Sequence, residues 1–444
     1  MAGSSRKFHS DRTPAILSAR YSSFMNTKPA TDQQQVRVND REQLIYLLTE
    51  AAEIEHGLMC TYLYAGWSLK RSCEEGVTPE QLDTIERWRA TIRGVAMEEM
   101  VHLAMVNNML MSIGSPPHFR RQNFPVPSGY HPSSLVVRLA PMTRDTLQHF
   151  IYLERPEGMP MAQASGFESA LQYQRRAPRV TVTPTAEHYD TVGHLYRGIE
   201  EGLASLAAAM GERALFLGDP DAQLGPEQLD LEGLASVVDL QSAQKAVQVI
   251  IEQGEGGRRE AQQSHFARVT EMAGEYDAFL AADPAFMPCR EVATDPVMLS
   301  PIEDGTMTHV AADESAVVLD LANATYGLML RLLASGTGVS RGGEPLRQVE
   351  LDSAIRLMHV IDKLAVTLTT LPVERGSKVK AGMNFHLPRS ALALPQRHAG
   401  AALLAERAHE IGLALAAVEP SLPPLNGLSA RLADIAARLQ EFAH

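Results

Sequence analysis

Residues 92–113 read IRGVAMEEMVHLAMVNNMLMSI, and this stretch decides the fold. At about 100° per residue its apolar side chains share one helical face, and Glu99 and His102 lie inside that face. Burying an ionised carboxylate without a partner costs several kcal/mol, so an opposite charge must offset it. A Glu-x-x-His turn supplies ligands to a metal pair in helical bundles. The same spacing also arises by chance, and a buried Glu can instead pair with an arginine.

A preceding amphipathic helix is predicted over Asp40–Leu69. Its apolar stripe carries one carboxylate, that of Glu55, whereas Glu53 points the opposite way. Glu55 is therefore a candidate ligand, with a locally polar patch as the alternative. Tyr62 lies two turns further on the same face. It is either a donor to the site, and so a candidate catalytic residue with Glu99, or an ordinary core tyrosine.

The helix that contains residues 92–113 begins near Glu80 and ends at Gly114, because the Ser-Pro-Pro that follows cannot continue it. A long connection comes next. Within it Leu135–Leu139 is a short strand or an extended segment, and Thr143–Leu153 is a short helix capped by Thr143. Such a connection between the second and third helices is typical of a ferritin-like four-helix bundle with one crossover.

The third bundle helix is predicted over Thr185–Met210 and offers two acids, Glu200 and Glu201. Glu200 borders the apolar stripe and is therefore the better inward ligand. His194 projects away from that stripe, which indicates a solvated histidine.

The fourth bundle helix is interrupted by three glycines within residues 254–257, where Glu252 or Glu255 is the acidic candidate. A new helix starting around residues 259–260 carries His265 on its inner side. About 15 Å separates Glu255 from His265 in a straight helix. The two can share a metal only if the chain folds back at the glycines.

Four helices thus present acids and imidazoles in the order found in di-iron and di-manganese bundles. Glu99 is expected to bridge the two metals. Carboxylates with two imidazoles suit iron or manganese, since no thiolate is placed to favour zinc or copper. The candidate metal ligands are Glu55, Glu99 and His102 for one metal and Glu200, Glu255 and His265 for the other.

The composition, with 444 residues, 45% hydrophobic and 21% charged, is that of a globular protein of two or three domains. A net charge of −13 without a basic run argues against nucleic acid and anionic membranes as partners. No run approaches the roughly 18 apolar residues that span a membrane. Three well-separated cysteines argue for a reducing compartment, so we expect a cytoplasmic protein.

The predicted organisation is a flexible N-terminal tail over residues 1–40, a metal-binding bundle over 41–283, a linker over 284–315 and a helical C-terminal domain over 316–444. The C-terminal part carries no cluster of titratable residues that would make it a site. It is expected to pack on the bundle or on a second subunit, and a homodimer is compatible with the latter. Its predicted helices are Ala316–Leu333, Leu351–Leu371 and Ala399–Val418.

Several motifs, taken in order, resemble the ferritin-like domain family named after the iminophenyl-pyruvate dimer synthases of violacein- and rebeccamycin-type pathways. The resemblance covers about Arg41 to Leu280, and it implies a ferritin-like fold, a metal site and oxidative chemistry on a small amino-acid-derived metabolite. Two departures, His194 and Gln262, stand where acids are expected in the family and leave a single-metal or altered site as an alternative. The motifs are LTEAAEIEHGLMCTYLYA, VAMEEMVHLAMVNNMLMSIGSPP, LVVRLAPMTRDTLQHFIYLERPE, TVGHLYRGIEEGL, VIIEQGEGG, SHFARV and, near the C-terminus, AGMNFHL.

We therefore expect a non-haem iron oxidoreductase of natural-product biosynthesis, with a di-iron pair or manganese, that activates dioxygen or peroxide. Its small-molecule substrate is expected to enter beside Gly254–Gly257, and Glu98 or Asp239 is expected to orient a ligand imidazole. The alternative is a metal-binding or scaffold protein without turnover. The residues leave the substrate and the reaction subtype open.

Overall fold

The computed structural model describes residues 36–127, 129–131, 135–168, 182–229, 231–256, 263–299, 307–338, 344–389, 392, 394 and 397–443. Three predictions lie outside the described residues: the tail as far as residue 35, the helix start around residues 259–260, and the role of Gln262.

Helices dominate the described chain, and the predicted all-α fold is confirmed. A two-stranded parallel sheet, β1 Pro296–Val297 with β2 Thr308–His309, is a minor addition. The bundle and its crossover comprise α1 Arg41–Ser68, α2 Pro79–Ser112, α3 Arg144–Leu153, α4 Val192–Met210, the single turn α5 Glu212–Leu215, α6 Leu240–Ile251 and α7 His265–Ala282. The C-terminal part comprises α8 Asp313–Gly336, α9 Glu344–Leu368, α10 Arg397–Val418 and α11 Leu428–Gln440.

The two longest bundle helices begin where their capping residues stand. The Asp40 carboxylate accepts a hydrogen bond from the Gln43 amide at 2.9 Å, and Thr78 caps α2, whose first residue is Pro79. α1 and α2 run antiparallel. The Arg41 guanidinium donates to the Ile113 carbonyl at one end, and Gly66 lies against Ile92 at the other.

Two local predictions need correction. The third bundle helix begins at Val192, not Thr185, because the Thr191 hydroxyl accepts the His194 amide at 3.1 Å and caps the helix there. The glycine-rich stretch does not end α6 at once, since Glu252–Gly256 continues it as a π-helical turn. Leu135–Leu139 forms no strand, so the expectation of a short strand is wrong there.

The C-terminal helices pack on the bundle of the same chain. One hydrophobic cluster extends from Val36 to Leu439. Across the junction Trp67 of α1 stacks on Phe385 with ring centroids 5.5 Å apart, and its indole N–H donates to Asp362 of α9 at 2.8 Å. The predicted domain boundary over residues 284–315 stays a prediction.

Helix α8 is long and apolar enough to cross a membrane, contrary to the prediction that no segment could do so. However, 67% of its most apolar stretch is buried inside the protein. Burial of this extent is typical of a core helix, and α8 packs mainly against α9 and α10.

Replacing Trp67 by Ala is expected to lower the free energy of unfolding by about 3–5 kcal/mol, because a large aromatic side chain is lost from a packed junction. Urea denaturation followed by circular dichroism measures this. Trp67→Phe keeps the aromatic packing and loses the hydrogen bond, so it should cost about 1 kcal/mol relative to wild type. A loss below 1 kcal/mol for Trp67→Ala would mean that the junction contributes little to folding.

Candidate metal centre

The Glu99 carboxylate lies between two imidazoles inside the bundle. Its Oε2 is 2.9 Å from Nδ1 of His102, and its Oε1 is 3.1 Å from Nδ1 of His265. Glu99 and His102 are 2% exposed and His265 is fully buried. One carboxylate therefore offers an oxygen to each of two ring nitrogens, as a bridging ligand does.

Two further carboxylates complete the cluster, one on each side. Glu55 Oε2 is 3.4 Å from Nδ1 of His102, and Glu154 Oε1 is 3.7 Å from Nδ1 of His265. The result is two groups of three that share Glu99, and within each group the ligand atoms lie within 4.8 Å of one another. We call these five residues the Glu/His cluster.

Four different elements bring these side chains together. Glu55 lies on the buried stripe of α1, and Glu99 and His102 lie one turn apart on α2. Glu154 is the C-cap residue directly after α3. His265 is the first residue of α7, and the Ser264 hydroxyl fixes that start by accepting the Ala267 amide at 3.2 Å.

The outer ring nitrogens have their own acceptors. His265 Nε2 lies 2.7 Å from the Glu98 carboxylate, so the expectation for Glu98 is confirmed. His102 Nε2 lies 2.7 Å from the side-chain oxygen of Gln253 in the π-helical turn. Asp239 instead caps α6 by accepting the Ser242 amide at 2.8 Å. With Nε2 of both rings donating outward, both Nδ1 atoms can face a metal.

Two buried tyrosines donate hydrogen bonds to the cluster. Tyr196 donates to Glu55 Oε1 at 2.5 Å, and Tyr62 donates to Glu154 Oε1. Burial, reinforced by the neighbouring carboxylates, raises the pKa of both phenols well above the ordinary value, so both keep their protons. Tyr62 therefore contacts a candidate ligand as well as belonging to the core.

The protonation of the cluster departs from that of free side chains. Burial, together with the nearby Glu99 charge, raises the pKa of Glu55 to about 8. Burial opposes protonation of His102, but hydrogen bonds to Glu55 and Glu99 outweigh it and raise the pKa of His102 to about 10. Burial would raise the pKa of Glu99, yet the two imidazoles hold it well below its ordinary value. Without metal, bound protons thus compensate the negative charge of the carboxylates.

Glu200 and Glu255 do not join the cluster, and the predicted ligand set needs correction. Tyr196, one turn before Glu200 on α4, occupies the inward position and reaches Glu55, whereas Glu200 is half-buried. Glu255 pairs with Arg197 at 3.0 Å and accepts from the Thr191 hydroxyl. Its carboxylate fills the space where a side chain on Gly193 would stand. The alternatives Glu201 and Glu252 also lie outside the two ligand groups of the described chain.

Glu154 is the ligand candidate that the sequence reasoning missed, because it follows a short crossover helix and precedes Arg155 and Pro156. A signal was present. Leu147, Phe150 and Ile151 form the buried face of α3, and Glu154 continues that face at helical spacing. The same pattern had identified Glu55 and Glu99.

The cluster suits a pair of hard divalent cations. Within the described chain no arginine forms an ion pair with Glu55 or Glu99, so the only positive partners of these acids are the two imidazoles. The Nδ1 atom of His265 is buried and has no hydrogen-bond partner. Three carboxylates and two imidazoles are the donor chemistry that bundle proteins present to iron or manganese.

Comparison with known proteins accords with this geometry. The family model described as Ferritin-like matches residues 48–274, which is just over half of the chain. The chain belongs to the ferritin-like family. The matched residues of this ferritin-like protein include all five members of the Glu/His cluster. A solved ferritin-like protein from Caulobacter vibrioides is 16% identical, with a TM-score of 0.46 over 79% of this chain and 99% of that chain.

Two curated relatives match the family indicated by the motifs. Dichlorochromopyrrolate synthase of Lentzea aerocolonigenes is 28% identical over 83% of this chain and 38% of its own length. The 2-imino-3-(indol-3-yl)propanoate dimerase of Chromobacterium violaceum is 26% identical over 76% of this chain and 33% of its own length. The chain therefore spans only about a third of the length of each of these relatives.

Metal binding is expected to release protons and to strengthen as the pH rises from 6 to 8. Glu55 and His102 hold protons at neutral pH because their pKa values are about 8 and 10, and metals bind the deprotonated forms. The affinity for Mn²⁺ should rise about tenfold per pH unit for each proton displaced. Calorimetric titration in two buffers of different ionisation enthalpy counts these protons. An affinity independent of pH would contradict the assigned protonation.

Removing the outer acceptor of His265 is expected to weaken the metal site. Glu98→Ala should lower Mn²⁺ affinity about 10- to 100-fold, because the ring loses the partner that orients it. Asp83→Ala, an exposed acid on the same helix, serves as the matched control and should leave affinity unchanged. Equal affinities for the two variants would show that Glu98 does not position the ligand.

Proposed function

We propose that this protein is a non-haem di-iron or di-manganese oxidoreductase of natural-product biosynthesis that acts on a small amino-acid-derived metabolite and activates dioxygen or peroxide. The observation that carries the proposal is the Glu99 carboxylate shared by His102 and His265, with Glu55 and Glu154 closing the two sides. A scaffold has no need to bury so many ionisable groups, whose desolvation costs several kcal/mol each.

The ligand chemistry supports two metals rather than one. Glu154 supplies the carboxylate that Glu200 and Glu255 do not bring, so the departures at His194 and Gln262 leave neither half without an acid and an imidazole. When bound, an iron pair would supply redox chemistry for dioxygen or peroxide activation. Glu55, Glu99 and His102 would hold one metal, and Glu99, Glu154 and His265 the other.

The protein's own residues have distinct tasks around such a pair. Gln253 and Glu98 keep the imidazoles oriented by accepting from Nε2. The hydroxyls of Tyr196 and Tyr62 donate hydrogen bonds to Glu55 and Glu154 and so orient these side chains, and both tyrosines are fully buried. Burial excludes bulk water from the cluster, which strengthens the electrostatic interactions inside it.

The relatives support the biosynthetic part of the proposal. One is named a synthase and the other a dimerase of an indolyl imino acid. We propose for this chain a substrate of the same broad origin, derived from an amino acid. A cytoplasmic location, the absence of nucleic-acid and membrane partners, and a homodimer remain predictions of the sequence.

Single substitutions are expected to distinguish the two metal positions. Glu99→Ala should lose both metals because its carboxylate bridges, whereas Glu55→Ala and Glu154→Ala should each lose about one equivalent. Metal analysis of protein purified without chelators, together with absorption spectra during reduction and reoxidation, measures occupancy and redox activity. Glu200→Ala is the matched control and should keep both metals.

One outcome would overturn the proposal, and two others would overturn the assigned ligand roles. Folded wild-type protein that takes up no iron or manganese would favour the scaffold function. Full occupancy in Glu99→Ala would refute the bridging role, and loss of metal in Glu200→Ala would restore the ligand set expected from the sequence.

A further inference from the structure

A large cavity lies between the bundle and the C-terminal helices. Its volume is about 1000 Å³, and α1, α2, α8 and α9 all contribute to its walls. None of its lining residues comes from the described part of the glycine-rich turn, where the sequence had placed substrate entry. The cavity is therefore a separate candidate for the place where a small molecule binds.

Much of the cavity lining is apolar and adaptable. Aromatic rings come from the bundle and from the C-terminal part, and methionines line several of the walls. Methionine side chains are flexible and polarisable, and they adapt to flat ligands of varied shape. The aromatic residues and methionines are Tyr62, Trp67, Phe119, Tyr326, Phe385, Met59, Met97, Met100, Met329 and Met358.

One end of the cavity is rich in guanidinium groups. Arg71, Arg89 and Arg93 line it, with the acids Glu86 and Asp362 nearby. Asp362 already accepts a hydrogen bond from Trp67. The Arg89 guanidinium donates one hydrogen bond to the Lys70 carbonyl, whereas its buried Nε atom has no hydrogen-bond partner. In a protein of net charge −13 this end would attract an anionic group.

Tyr62 connects the cavity to the candidate metal centre. Its ring lines the cavity while its hydroxyl donates to Glu154, and within the described chain no other lining side chain donates a hydrogen bond to the Glu/His cluster. Gly66 lies against Ile92, and Tyr62 is one turn nearer the start of α1. Because α1 and α2 run antiparallel, Tyr62 lies about level with Ala96 of α2. Along the axis of α2, Arg89 therefore lies about 10 Å from Tyr62, because about seven residues separate their positions at a rise of 1.5 Å per residue.

We propose that this cavity is the substrate-binding site and that it takes a flat apolar molecule with one anionic group, which Arg89 holds while the apolar part lies against Tyr62 and Met100. That the bound molecule is a substrate rests on the proposed function. The chemistry of the bound molecule rests on the cavity alone. Arginine matches carboxylate geometry with two parallel hydrogen bonds, and about 10 Å is the length of an aromatic amino acid derivative.

Metal-free protein can be titrated with two fluorescent probes at low ionic strength. 8-Anilinonaphthalene-1-sulfonate is apolar and anionic, and N-phenyl-1-naphthylamine is its neutral counterpart. Arg89→Ala should weaken binding of the anionic probe about tenfold and change binding of the neutral probe less than twofold. Arg87→Ala, on the same helix but paired with Glu275 outside the cavity, is the matched control and should change neither.

Met100→Trp places a larger side chain in the cavity and should weaken the binding of both probes. Thermal unfolding of this variant shows whether the fold is kept. Equal losses of both probes in Arg89→Ala, or unchanged binding in a folded Met100→Trp, would overturn the proposal. Metal analysis of Arg89→Ala should show wild-type occupancy. If the wild-type protein binds metals but neither probe, the cavity proposal is refuted and the metal centre is not. If it binds the probes but no metal, the metal centre is refuted and the cavity proposal is not.

Discussion

The structure depends on one buried carboxylate that lies between two imidazoles. Glu99 can remain ionised in the core only because His102 and His265 approach its two oxygens, since an unpaired buried charge costs several kcal/mol. This requirement ties α7 to α2, and Glu55 of α1 and Glu154 directly after α3 lie beside the two imidazoles. The positions of four elements are thus linked through a single side chain.

Helix α2 serves different functions on adjacent faces. Glu99 and His102 belong to the Glu/His cluster, and Glu98 accepts from the imidazole of His265 on α7. Ala96 and Met100 line the cavity. Successive residues of a helix are rotated by about 100°, so neighbours in sequence face different surroundings. A single helix can therefore hold two residues of the Glu/His cluster, the partner of His265 and part of the cavity wall in a fixed relation.

The sequence predicted those residues of the Glu/His cluster that lie on regular amphipathic helices. Glu55, Glu99, His102 and His265 come together because helical periodicity fixes which side of a helix faces the core. Periodicity could not place Glu255, since the glycine-rich turn is π-helical and its carboxylate lies against Gly193 and pairs with Arg197. At Glu200 the prediction depended on the edge of a stripe, where a small rotation of α4 brings Tyr196 inward instead.

By itself the sequence determined an all-helical bundle with a crossover and four of the five residues of the Glu/His cluster, because apolar periodicity and capping residues are local signals. Only the tertiary structure decided that Glu154 supplies the remaining carboxylate and that the C-terminal helices close a cavity against α1 and α2. Both results join residues that are distant in the chain. Which distant surfaces meet depends on how the helices pack, and no single stretch of sequence records it.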